Sequence, residues 1–239
     1  HPHAKIFDGH LVKIPASKPL QGKQTFFDIA SVCLPCVFTQ STVGFQICIE
    51  CLYALIEQHA DQIMEEGKMP LLLGGEHLVT LANVRAVYKR FPEMHIIHFD
   101  AHTDLREDYL GAKLSHACVI RRCHDMLGDG RIHQFCIRSG EREEFAFAKE
   151  HTDLHPFDFE GLEQVVQQLK ENNTPVYFTI DLDCLDPSVF PGTGTPEAGG
   201  VTFVELMNAV IQTAQGVNVV GCDVNELSPV YDPSGVSTA

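Results

Sequence analysis

The chain has 239 residues, 44% of them hydrophobic and 21% charged, with no low-complexity tract, a length and balance that suit one large α/β domain with a sizeable core. Its formal net charge of −15 opposes nucleic acid and anionic membrane surfaces as partners and favours a cationic small molecule entering a cleft. No apolar run approaches the roughly 18 residues of a membrane-spanning helix, and His1-Pro-His-Ala-Lys-Ile6 has no signal-peptide core, so a cytoplasmic protein is expected.

The first elements bear on the cysteines. Cys33-Leu-Pro-Cys36 and Cys48-Ile-Glu-Cys51 have the paired spacing of a zinc ribbon. Cys48, Cys51, Leu52, Leu55 and Ile56, however, share one stripe of a helical pattern, and no knuckle glycine follows either pair, so core cysteines are expected instead. The nine cysteines, with Cys118, Cys136, Cys184 and Cys222 inside apolar segments, read as reduced thiols without disulfides. The helical pattern covers residues 45–68 and stops at Gly67; Met69-Pro-Leu-Leu-Leu-Gly-Gly75 follows as a strand buried on both faces. Next come a helix over 78–91, strands over 94–100 and 132–138, a helix over 158–171, a strand over 175–182, a helix over 202–214 and a strand over 217–223. Strands alternating with helices predict right-handed βαβ units in one domain spanning 1–239, with a mainly parallel sheet covered on both faces.

In such sheets function gathers at the carboxyl ends of the strands. Here those ends carry Gly74-Gly-Glu-His77, Asp100-Ala-His-Thr-Asp104, Ile137-Arg-Ser139, Asp181-Leu-Asp183 and Asp223-Val-Asn-Glu226. Asp100, His102 and Asp104, like Asp181 and Asp183, stand at every second residue, which on a strand aims them to one side. Aspartate is seldom buried unless paired or metal-bound. Together with His77 they make four carboxylates and two imidazoles, too many for one catalytic zinc and suited to two metals, whose +4 balances −4. An oxygen-rich set favours Mn²⁺. Solvent shared by two such cations ionises near neutral pH and attacks carbon or phosphorus, so metal-assisted hydrolysis is the expected reaction class. His98 shares parity with Asp100 and is expected to be a buried, hydrogen-bonded histidine; Asp223 is expected to serve the structure or to support the site from behind.

These motifs, together with Ser115-His-Ala-Cys-Val-Ile-Arg-Arg122, Asp181-Leu-Asp-Cys-Leu-Asp-Pro-Ser188 and Asp223-Val-Asn-Glu-Leu-Ser-Pro229, resemble the ureohydrolase family of arginases and agmatinases over residues 69–232. Gly192-Thr-Gly-Thr-Pro-Glu-Ala-Gly-Gly200 and the pair Arg121-Arg122 look more like agmatinases than arginases. The resemblance implies a three-layer α/β/α fold, two Mn²⁺ per chain and hydrolysis of agmatine to putrescine and urea by a bridging hydroxide. It places His77, Asp100, Asp104 and Asp181 around one metal and Asp100, His102, Asp181 and Asp183 around the other. His116 would pass a proton to the leaving amine and Glu226 would hold the guanidinium. His116 is followed by Ala-Cys-Val where the family usually has Gly-Thr-Pro or Gly-Met-Pro. Relatives commonly form trimers or hexamers, so a homo-oligomer is expected. They also carry an upstream strand with a Gly/Arg-rich loop and a helix after the Ser-Pro-x-Tyr-Asp segment, so the expectation is either a shorter variant or a domain whose terminal segments are incomplete. Arginase, guanidinobutyrase and formimidoylglutamate hydrolase use near-identical motifs; a single-zinc deacetylase would need a His-His pair, and a non-catalytic polyamine- or metal-binding protein is the remaining class.

Overall fold

Short apolar runs punctuated by glycine and separated by amphipathic stretches fold as alternating strands and helices. The computed structural model describes residues 24–28 and 42–239, with side chains from residue 52 onward. In chain order the elements are β1 (Gln24–Asp28), α1 (Thr42–Glu65), β2 (Met69–Leu73), α2 (Val79–Tyr88), β3 (His95–Phe99), α3 (Val119–Leu127), β4 (Ile132–Ile137), α4 (Arg142–His151), β5 (Asp153–Pro156), α5 (Leu162–Glu171), β6 (Pro175–Asp181), α6 (Phe203–Gly216) and β7 (Asn218–Asn225). Cys33, Cys36 and the side chains of Cys48 and Cys51 lie outside the described residues.

The seven described strands pair in parallel in the order β1-β2-β7-β6-β3-β4-β5. Successive strand side chains point to opposite faces, and this divides the core in two. Ile96 of β3 and Tyr177 of β6 pack with Ile56 of α1, Leu81 and Val84 of α2 and Ile120 of α3. Ile97, Phe99 and Phe178 pack with Leu162, Val166 and Leu169 of α5 and with Leu206 and Ala209 of α6 on the other face. The result is the expected three-layer α/β/α arrangement. Tyr177 can lie flat because its neighbour on β7 is Gly221, where a Cβ would stand 2.8 Å from the ring.

Several expectations need correction. α5 begins at Leu162 rather than 158, because Gly161 takes φ 91° and starts the helix there. β2 is not buried on both faces among the described residues: Leu73 is 45% exposed. α3, α4, β5 and β1 were not anticipated. The strands that carry polar ends, β2, β7, β6, β3 and β4, lie side by side, because the chain leaves β2 for β3 and β4 and later fills the gap with β6 and β7. Their carboxyl ends therefore form one edge.

Candidate metal centre and active-site cleft

At that edge the backbones approach closely. A Cβ on Gly74 would lie 2.2 Å from Asn225 Oδ1 of β7, so only glycine allows β2 to turn there and deliver His77. Asp100 directly follows β3, Asp181 ends β6 and Glu226 directly follows β7. Asp100 Oδ1 accepts a hydrogen bond from His102 N at 2.6 Å, and Asp181 Oδ1 accepts one from Asp183 N at 2.8 Å. Each leading aspartate thus closes an Asx turn over the residue two positions on.

The period-two spacing is therefore a property of turns, which corrects the expectation of strand alternation. His102 lies in a loop bridged to Ser139, Asp104 takes φ 53°, and Asp183 sits in the 3-10 turn Leu182–Cys184. Glu226 also has a left-handed backbone, φ 66°. Non-glycine residues in that region are uncommon and gather at functional sites.

The turns bring all six expected ligands together. His77 Nδ1 lies 3.2 Å from Asp100 Oδ2, 3.0 Å from Asp104 Oδ2 and 3.3 Å from Asp181 Oδ2. His102 Nδ1 lies 2.9 Å from Asp183 Oδ2 and 3.5 Å from Asp100 Oδ1. The two oxygens of Asp100 face different imidazoles, which sets it between two subsites.

The hydrogen bonds behind His77 test whether a cation fits. Its Nε2 is 3.0 Å from Thr179 Oγ1, and that hydroxyl donates to Asp223 Oδ1 at 2.6 Å. With its one proton committed, the hydroxyl accepts from Nε2–H, so Nδ1 is the bare nitrogen. Nδ1 is buried, has no hydrogen-bond partner, and points a lone pair at three carboxylate oxygens. In the neutral ring such an arrangement is repulsive, so against the cost of burial Asp100, Asp104 and Asp181 raise the His77 pKa well above its usual value, and a divalent cation fits the donor set in that proton's place. Asp100 is held similarly: Gln134 Nε2 donates to His98 Nδ1 at 3.1 Å, leaving His98 Nε2 to donate to Asp100 Oδ2 at 2.8 Å.

His98 is thus the buried, hydrogen-bonded histidine expected, and Asp223 stands behind the site as expected. Thr179 was missed, although it precedes Asp181 by two residues just as His98 precedes Asp100. That shared strand parity was the available signal.

The electrostatics also call for positive charge. Burial, then the charges of Asp183 and Asp100, push Asp181 well above the usual carboxylate range, and burial with the charge of Asp100 raises Asp104. Burial would raise Asp100 too, but His98, His102 and His77 hold it well below. Against the cost of desolvation, Asp100 and Asp183 push His102 up to about 12. Cations at the centre of such a cluster replace the protons it would otherwise draw in.

Above the cluster opens a cleft of about 450 Å³, lined among others by Glu76, Arg106, Tyr109, His116, Glu197 and Glu226. Glu226 Oε1 accepts from His77 N at 2.8 Å, and burial pushes its carboxyl up to about 7. His116 begins a 3-10 turn capped by Ser115, and its Nδ1 is 3.4 Å from Glu76 Oε1, which raises its pKa. Glu197 accepts from Ser139 Oγ at 2.8 Å, with Oε1 3.7 Å from His102 Nε2. Arg121 and Arg122 do not line the cleft: Arg121 lies 3.9 Å over the Phe147 ring and Arg122 Nε is 3.2 Å from Asp125.

Residues 17–239 match the model of the arginase family. The chain belongs to the arginase family. It is 46% identical to an agmatinase of Bacillus subtilis (strain 168) over 211 residues, 87% of this chain and 69% of that one. With an agmatinase of Bacillus anthracis it shares 48% identity over 183 residues, 75% of this chain and 62% of the relative. The chain thus spans about two thirds of the length of these relatives. A crystal structure from Clostridium difficile, of a protein given the provisional name of agmatinase, superposes with a TM-score of 0.76 at 49% identity, covering 79% of this chain and 69% of the other. In this arginase-family chain the strand order puts the candidate metal centre between β2 and β3, with β7 and β6 beneath it.

Proposed function

We propose that the chain hydrolyses agmatine to putrescine and urea at a pair of Mn²⁺ ions. The bare Nδ1 of His77, buried against three carboxylates on the floor of the cleft, is the observation that carries the reading. His77, Asp100, Asp104 and Asp181 would hold one ion, and Asp100, His102, Asp181 and Asp183 the other. Bound there, two divalent cations supply Lewis acidity and an ionised water at neutral pH.

The protein's own groups do the rest. Glu226, fixed by the His77 backbone, orients the planar guanidinium through charge-assisted hydrogen bonds. His116, which also lines the cleft and is held toward its charged form by Glu76, donates the proton the departing amine requires. The cleft also bears on the far end of the substrate. Among the described residues, Arg106 is the one lysine or arginine that lines it, and Glu141 and Glu144 engage its Nη1 at 3.0 Å and Nε at 3.4 Å. Among the described lining residues a carboxylate tail meets no uncommitted lysine or arginine, whereas an ammonium meets Glu76 and Glu197. This favours agmatine over arginine and 4-guanidinobutyrate. Phe203, Val204, Met207 and Ile211, exposed on α6, offer an apolar face to the homo-oligomer that the family resemblance implies.

Replacing Asp181 with alanine removes a carboxylate shared by both subsites. Asp181→Ala should lose Mn²⁺ retention and urea release together, as read by elemental analysis and a urea assay; urea release that survives the change contradicts the reading.

A further inference from the structure

Away from the cleft, His124, Asp129 and His151 converge on one point. His124 lies in the last turn of α3 and His151 ends α4, so both stand near the amino edge of the sheet, opposite the candidate metal centre. One oxygen, Asp129 Oδ1, is 2.9 Å from His124 Nε2 and 2.8 Å from His151 Nδ1. The three ligand atoms fall within the reach of a single metal ion.

The supports are built in. Phe147 of α4 meets the His124 ring edge-on at 4.9 Å and the His151 ring at 4.2 Å, which restricts both imidazoles. Asp129 is held between Gly128 (φ 82°) and Gly130 (φ 70°), and Gly130 N donates to His151 O at 3.0 Å, tying the loop to the end of α4. Glu150 also approaches, its Oε2 4.0 Å from His151 Nε2. No lysine or arginine among the described residues pairs with Asp129.

We propose that His124, Asp129 and His151 form a second, peripheral site for a borderline divalent transition metal such as Zn²⁺. In the metal-free arrangement each imidazole donates an N–H to Asp129; on binding, each shifts that proton to its other ring nitrogen and presents its lone pair to the ion, and water completes the shell. No net proton is released from neutral histidines. Two imidazoles and one carboxylate select zinc, copper or nickel over manganese, whereas the oxygen-rich centre in the cleft has the opposite bias. The ion would pin the end of α3 to the end of α4.

The test uses the whole chain after saturation with Mn²⁺, then dialysed against Zn²⁺, with zinc counted by elemental analysis and histidine carbethoxylation mapped by mass spectrometry. The wild type should hold one zinc equivalent more than His151→Gln, and Zn²⁺ should protect His124 and His151 from modification. Asp129→Asn, a change at an exposed loop position, should lose the same equivalent while urea release stays at the wild-type level. Equal zinc content in wild type and both variants, or unprotected His124 and His151, overturns the proposal.

Discussion

The hydroxyl of Thr179 accepts from His77 and donates to Asp223, so a side chain with no route to substrate decides which imidazole nitrogen faces the candidate metal. Removing that hydroxyl without changing the side-chain shape frees His77 to adopt the other tautomer and leaves Asp223 short of a donor. Thr179→Val should therefore weaken Mn²⁺ retention about 10- to 100-fold, the usual cost of losing such a supporting hydrogen bond, while Thr179→Ser should restore it. Retention measured against free Mn²⁺ decides the point; a valine variant that matches wild type would show that the tautomer is set by something else. The same scale explains what the motifs hid. Asp100 and Asp181 were recognisable as ligand candidates because buried aspartate needs a partner, but their second role, folding the chain over His102 and Asp183, is a backbone interaction that residue spacing mimics as strand alternation.

The elements that were legible in the sequence are those whose burial leaves a pattern. β2, β3, β6 and β7 are apolar runs, and α2 and α6 show apolar spacing with clear ends, so the strands that frame the cleft were readable in position and order along the chain. α4 buries only Glu144 and Ala148 of its ten residues, so it has no apolar stripe to recognise. β5 is four residues long, ends in Pro156 and lies at the edge of the sheet. α3 follows directly on the turn that carries His116, where a motif obscured the helix. Which strands become neighbours follows from long-range pairing that spacing alone does not contain. α6 also shows how local chemistry fixes an end: Thr202 Oγ1 accepts from Glu205 N, and Glu205 Oε2 accepts from Thr202 N at 2.7 Å. Thr202→Ala breaks this capping box and should cost about 1 kcal/mol of stability, seen as a lower urea midpoint with unchanged slope. No shift in midpoint would place the helix start elsewhere.

For the molecule as a whole, a net charge of −15 and a cleft rich in carboxylates would act together on the small dication proposed as substrate. The field concentrates cationic substrate at the mouth, and salt screens it as the Debye length falls from about 30 Å at 0.01 M to about 3 Å at 1 M. Turnover at saturation takes place inside the cleft, where screening is weaker. Raising ionic strength should therefore lower kcat/KM for agmatine and leave kcat nearly constant; a kcat/KM indifferent to salt would mean the charge plays no part in substrate capture. The same charge distribution underlies the central claim, because Arg106 is already paired and the described rim offers carboxylates to an ammonium but no unpaired lysine or arginine to a carboxylate. That claim is tested most directly by urea release from agmatine, arginine and 4-guanidinobutyrate after Mn²⁺ loading, with metal content measured on the same sample. Agmatine is predicted to have the highest kcat/KM, with the two carboxylate-bearing guanidines far behind. Absence of agmatine turnover by the Mn²⁺-loaded protein, or a preference for either carboxylate-bearing substrate, would contradict it.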